Sequence, residues 1–194
     1  MKFFETIRIE NGIPQHLSWH QERMNLTRKN ILGLNKPIHI QDHLHDLPSK
    51  DLYRAKMIYD QNSIKTYYYI YKPKQIRTLK LIEAHISYEY KALDRKHLDS
   101  LRREANDYDD ILIIKNGYLT DTSIANIALR QENIWYTPTA PLLPGTTRAR
   151  LLTNGTILPK QIHYTELNNY HEIALMNAMI GFSIQKEISL ISDF

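Results

Sequence analysis

The chain has no cysteine among its 194 residues. A disulfide scaffold, a thiolate metal site and a catalytic thiol are therefore excluded. No apolar run approaches the roughly 18 residues of a membrane span. The N-terminus, Met1-Lys2-Phe3-Phe4-Glu5, lacks the apolar core and cleavage site of a leader, so a cytoplasmic protein is expected. No internal repeat or low-complexity segment is evident. What is there suits a globular chain: 42% hydrophobic residues and a length that fits one domain or two small lobes. The formal net charge of +4 suits an enzyme for anionic metabolites as well as it suits a nucleic-acid binder.

Phe3 to Glu10 alternates, with Phe3, Glu5, Ile7 and Ile9 on one side and Phe4, Thr6, Arg8 and Glu10 on the other, a strand pattern. Asn11-Gly12 signals a hairpin with residues 13–16. Ser18 with Gln21 three residues on reads as a capping box for a helix running to about Leu32 and stopped by Gly33. Residues 38–47 read as a polar helix. His39 and His43 would share a face there, which raises zinc. The segment lacks the glutamate of the zinc-protease helix, and no metal is expected. Residues 54–60 and 63–71 read as a second hairpin. Its tyrosines, 67–69 and 71, raise base stacking, but no ribonucleoprotein motif accompanies them, and strand tyrosines are the ordinary reading. No nucleic-acid or membrane partner is expected.

Residues 77–85 are a strand candidate, and 95–106 a charged helix with Leu98 and Leu101 inward. Residues 111–114 form an apolar run that predicts a buried strand. Asn116-Gly117 turns the chain into strands at 119–126, 127–130 and 134–136. A helix is expected over 148–152, and strands over 163–165 and 172–176.

Three features carry chemistry. Lys91 lies in Lys91-Ala92-Leu93-Asp94-Arg95, Asp121 in Asp121-Thr122-Ser123-Ile124-Ala125-Asn126, and a turn in Leu143-Pro144-Gly145-Thr146-Thr147-Arg148. A lysine, a carboxylate and such a turn are the parts that hold pyridoxal phosphate. The amine forms a Schiff base, the carboxylate pairs with the ring nitrogen, and backbone N–H groups meet the phosphate.

With Phe4-Glu5-Thr6-Ile7-Arg8, His20-Gln21-Glu22-Arg23-Met24 and residues 172–178, these stretches resemble aminotransferase class IV, the fold-type IV pyridoxal-phosphate enzymes. That family includes branched-chain and D-amino-acid aminotransferases and 4-amino-4-deoxychorismate lyases. The resemblance implies an α+β, two-lobed D-amino-acid aminotransferase-like architecture with a shortened N-terminal lobe. The expected parts are a small lobe over 1–86, a linker over 87–94, and a larger lobe over 95–194, with the cofactor between lobes and a homodimer as the assembly. Lys91 would hold the cofactor and shuttle protons. Asp121 would face the pyridine nitrogen, with Asn126 completing the family's carboxylate–Asn spacing. Arg23, Thr146 and Thr147 would bind the phosphate, and Asn177 and Ala178 would add a backbone contact.

Two departures stand out. The family usually has glutamate at the position of Asp121, whose carboxylate is retracted by about 1.5 Å. The family also begins earlier, with a strand ahead of the Phe-Glu-Thr segment. The Lys-Ala-Leu-Asp-Arg context and Asn177-Ala178-Met179 resemble the lyases, so aminodeoxychorismate lyase-like pyruvate elimination is the expected activity. Transamination of D- or branched-chain amino acids is the alternative, and cofactor binding without turnover a further one.

Overall fold

The structure is a computed structural model and describes residues 1–193. The chain forms two compact units, Met1–Pro73 with Tyr90–Asp94, and Lys74–Glu89 with residues 95–193. The expected first lobe ended at residue 86, but residues 74–86 go with the second unit. Their strand pairs there in parallel with a partner some thirty residues on, a long-range match that no local signal announces.

In the first unit, β1 (Phe3–Glu10), β2 (Ile13–Pro14), β3 (Leu52–Tyr59) and β4 (Ile64–Ile70) form an antiparallel sheet in the order β2-β1-β3-β4. Asn11 (φ 49°) and Gly12 (φ 79°) are both left-handed, the backbone that a two-residue hairpin turn requires. Phe3, Ile7 and Ile9 bury one face of β1 together with Ala55, Met57 and Tyr59 of β3. Helix α1 (Leu17–Asn30) lies against β1 and buries Met24. It starts one residue before Ser18, after His16 in a left-handed conformation (φ 55°), and has no side-chain cap. Gln21, the expected capping partner, instead spans a loop. Its side chain donates to Ile38 O at 2.5 Å and accepts from Ile40 N–H at 2.6 Å. The helix expected over 38–47 contracts to one 3-10 turn, Ile40–His43. Among the described residues no cluster of three or more His, Asp or Glu side chains could hold a metal.

Residues 90–94 return to this unit as a further strip along β1. Phe4 N–H donates to Lys91 O at 3.0 Å and Leu93 N–H donates to Lys2 O at 2.8 Å. The backbone of Lys91 is thus fixed by the start of β1.

The second unit contains β5 (Thr78–Glu83), α2 (Lys96–Glu104), β6 (Asp110–Lys115), β7 (Tyr118–Thr122), β8 (Asn126–Gln131), β9 (Ile134–Pro138), α3 (Thr146–Thr153), β10 (Leu158–Lys160), β11 (Glu172–Asn177), β12 (Gly181–Gln185) and β13 (Ser189–Ile191). The path of the sheet is β10-β9-β8-β7-β6-β5-β13, and β11 pairs with both β8 and β12. β6 is buried on both faces, as its apolar run predicts. Leu112 and Ile114 join Leu79, Leu81, Leu119, Ile127 and Leu175, while Ile111 and Ile113 pack on Leu98 and Leu101 of α2. Small residues, Ala128 of β8 and Ala174 of β11, let α3 approach through Leu151. The strand expected over 163–165 is a 3-10 helix, Tyr164–Asn169, because His163 caps it and Glu166 completes the box. No helix of the described residues is long and apolar enough to cross a membrane.

Candidate active site

The second unit gathers most of the predicted residues. Asp121 at the end of β7 pairs across a tight turn with Asn126, and Asn126 lies opposite Met176 of β11. Asp121, Asn126 and Asn177 therefore sit at the ends of neighbouring strands. The Asn126 amide donates to Asp121 Oδ1 at 2.8 Å and to Leu143 O at 2.9 Å. Leu143 N–H donates to Asp121 Oδ2 at 2.9 Å. Both carboxylate oxygens are thus held by neutral donors. A Cβ at Gly145 would lie 1.9 Å from Asn126 Oδ1, so the close approach of this loop to Asn126 requires glycine there.

Helix α3 begins immediately after Gly145. Thr146 and Thr147 are buried in its first turn, and no side chain caps it. Its leading N–H groups carry the positive end of the helix without a side-chain acceptor. Arg148, also buried, turns away and donates to Thr137 Oγ1 at 3.2 Å and Pro138 O at 2.7 Å. The 123–125 turn is clamped from two sides. Arg95 donates to Ser123 O at 2.7 Å, and Asn177 donates to Ile124 O at 3.2 Å. Asn177 Oδ1 accepts from Met179 N–H and Ile180 N–H at 2.9 and 3.1 Å, so its side chain builds the turn that carries Ala178.

Asp121 is 4% exposed. Burial pushes its carboxyl up to about 6, against the pull of the Leu143 N–H, the Asn126 amide and the Arg148 charge.

In the first unit, Lys91 Nζ lies 4.8 Å from the centre of the Phe4 ring, a cation–π contact. Arg23 meets Glu5. Arg23 Nε donates to Glu5 Oε1 at 3.0 Å, and Arg23 Nη2 donates to Oε2 at 2.5 Å. His20 Nδ1 lies 2.7 Å from the same Oε2. Glu5 is completely buried. Burial alone would raise its carboxyl, but the Arg23 charge and His20 outweigh it and hold it at about 2. Phe4 and Glu5 are successive strand residues, so the Lys91 and Arg23 contacts fall on opposite faces of β1.

Residue-by-residue reading missed Glu5, His20, Gly145 and Arg95. A signal existed for Glu5, as a carboxylate in the row otherwise made of Phe3, Ile7 and Ile9. Arg95 acts on the Ser123 backbone and Gly145 makes room for the Asn126 side chain, both from a distance in sequence that local patterns do not announce.

The chain matches the family described as Amino-transferase class IV over residues 2–188 and belongs to that family of enzymes. It is 37% identical over 183 residues to an uncharacterized protein of Haemophilus influenzae, covering 92% of this chain and 97% of that one. A crystal structure from Haemophilus somnus 129PT, provisionally described as a 4-amino-4-deoxychorismate lyase, is similar at 35% identity with a TM-score of 0.83, over 93% of this chain and 97% of that chain. A hypothetical aminotransferase from Mycobacterium tuberculosis, solved in a pyridoxal-phosphate-bound form, shares the fold at 13% identity and a TM-score of 0.80, over 98% of this chain and 83% of that chain.

Proposed function

We propose that this chain is a pyridoxal-phosphate-dependent lyase that converts an aminodeoxychorismate-type substrate into an aromatic amine and pyruvate. The observation that supports the cofactor best is the pairing of a buried Asp121 carboxylate, held only by neutral donors, with the uncapped start of α3. An acidic pocket for a ring N–H beside an anion-binding helix start is the donor set that pyridoxal phosphate needs. The lyase reading is supported by the 35% identity to the Haemophilus somnus protein.

When bound, the cofactor supplies an electron sink for the carbanion at the substrate carbon that bears the amine. Lys91 would hold the cofactor through Nζ, and its amine would serve as the base and acid that move the proton at the substrate carbon bearing the amine. Asp121, ionised above pH about 6, would pair with the pyridine N–H and keep it protonated. Asn126 and Leu143 N–H fix Asp121 for that task. The family resemblance assigns phosphate binding to Arg23 of the first unit and, in the second unit, to the N–H groups of Thr146 and Thr147, with Ala178 adding a backbone contact on the turn built by Asn177. Homodimer assembly and a cytoplasmic location belong to the same proposal and rest on the family. Light scattering tests the first.

The testing experiment is the visible spectrum with added pyridoxal phosphate, wild type beside Lys91→Ala. A yellow, borohydride-reducible band in the wild type only is expected. No band at saturating cofactor overturns the reading and leaves a homologue without turnover. Release of p-aminobenzoate and pyruvate from aminodeoxychorismate is expected next. Amine transfer between an amino acid and a 2-oxo acid, without either product, would favour a transaminase, which the family's name and the Mycobacterium tuberculosis fold relative make the second reading.

A further inference from the structure

We propose that Glu5, backed by His20, is a positioning residue that sets the guanidinium of Arg23 for a phosphoryl group. This rests on the reading of Arg23 as a phosphate ligand. The argument begins with the placement of a charge where an apolar residue would be cheaper. Glu5 occupies the inward row of β1 between Phe3 and Ile7, opposite Met57 of β3, and is fully buried. A lone carboxylate there would lose its hydration with no charge to offset it. It is kept charged by two partners that α1 delivers together. His20 and Arg23 are three residues apart and so share one helical face.

The bonding pattern assigns the parts. Glu5 is ionised and can only accept, so His20 Nδ1 carries the hydrogen of the 2.7 Å contact. Arg23 uses its Nε and Nη2 edge on the carboxylate, in a two-point geometry that fixes the guanidinium plane as well as its position. A long arginine side chain loses rotamer freedom when ordered, and Glu5 removes that loss before any anion arrives. Thr27, one turn along the same face, donates its hydroxyl to Arg23 O at 3.0 Å and steadies the backbone beneath. Tyr59, on the same buried face, contributes no opposing charge, since burial and the Glu5 charge push its hydroxyl pKa up.

A purely structural tie between α1 and β1 would look similar, so the test must separate affinity for phosphate from stability. Dissociation constants for pyridoxal phosphate and for pyridoxal, which lacks the phosphoryl group, are measured by absorbance for wild type, Glu5→Gln, Arg23→Ala and the double variant. Glu5→Gln is expected to weaken pyridoxal phosphate about tenfold, the usual effect of losing a group that orients a ligand-binding side chain, and to leave pyridoxal unchanged. In the Arg23→Ala background Glu5→Gln is expected to add nothing. An equal fall for both ligands, or no fall, overturns the proposal.

If Glu5→Gln fails to fold, the His20 pair carries the test. His20→Asn keeps a donor near the Nδ1 position and retains the preference for the phosphorylated ligand, whereas His20→Leu loses it. Equal behaviour of the two overturns the proposal. If the wild type forms no band with either aldehyde, the cofactor reading fails, and inorganic phosphate becomes the probe. A rise in melting temperature with phosphate in the wild type, absent in Glu5→Gln and Arg23→Ala, supports the positioning role. A rise common to all three, or none in the wild type, overturns it.

Discussion

Asp121 should make the cofactor-free protein lose stability as the pH rises from about 4 to about 6. Its carboxyl is raised in the fold from 3.8 to about 6, mainly by burial. Between those values the folded protein holds a proton that the unfolded chain has released. Unfolding there gives up a proton, so stability is full below the unfolded value and is lost as pH rises through the folded one. The gap of about two pH units is worth about 3 kcal/mol at the standard 1.36 kcal/mol per unit.

The comparison is with Asp121→Asn. The amide cannot accept from both the Asn126 amide and Leu143 N–H, and the mismatch costs about 1–3 kcal/mol at every pH. That offset is constant, so the pH dependence of the difference isolates the carboxyl. The assay is urea unfolding from pH 4 to 8 in a Trp19→Phe background. Trp19 lies in the first unit and Trp135 in the second, so the remaining fluorescence reports the unit that carries Asp121. The variant should gain about 2 kcal/mol on the wild type between pH 4 and pH 7, the rest of the change falling below pH 4. A flat difference would mean that the donors already compensate the charge, and the reasoning that burial dominates would be wrong. The same variant should bind pyridoxal phosphate more weakly, because an amide offers the pyridinium N–H no matching charge.

Two further substitutions probe the same corner. Gly145→Ala places a methyl against Asn126 Oδ1, pushes the amide off Asp121, and should destabilise the second unit by about 1–3 kcal/mol while raising the cofactor dissociation constant, measured by urea unfolding and absorbance titration. Asp121→Glu restores the residue usual in the family but adds a methylene where the shorter carboxylate already meets Asn126 and Leu143. It should cost about 1–3 kcal/mol without tightening the cofactor, and tighter binding would show that Asp121 under-reaches.

The local signals were strongest where backbone chemistry leaves little choice. Asn11-Gly12 and Asn116-Gly117 both form left-handed pairs, and the run at 111–114 is a strand buried on both faces. The Gly145-Thr146-Thr147 turn opens a helix, although α3 starts two residues before the expected 148. Failures arose where side chains had rival partners. Ser18 and Gln21 have capping-box spacing, but the left-handed His16 starts the helix earlier and Gln21 is drawn to the Ile38–Ile40 backbone. His163-Tyr164-Thr165 has strand composition, yet His163 caps a 3-10 helix. The boundary at 86 failed because parallel pairing of β5 with β6 is decided across the intervening helix. At the candidate site, motif order pointed to Asp121, Asn126 and Asn177, which the structure places at the ends of neighbouring strands, while the contacts that Arg95 and Gly145 make with the 123–126 segment had no local signal. Orientation is a matter of which distant backbone or charge lies within 3 Å.

Glu5 and Asp121 are both buried carboxylates, yet their proton affinities move in opposite directions. The difference lies in the donors. Glu5 faces a guanidinium and an imidazole N–H, so its charge is matched inside the fold and it remains an anion at any physiological pH. Asp121 faces an amide and a backbone N–H, and the nearby Arg148 spends its hydrogen bonds on Thr137 and Pro138. Its charge is solvated in part but not matched. A matched carboxylate has little to gain from a ligand and serves to hold its own cation, Arg23. An unmatched one gains from any cationic N–H brought to it, which is what a protonated pyridine offers. Burial is common to both, so the donors each carboxylate faces decide which way its proton affinity moves.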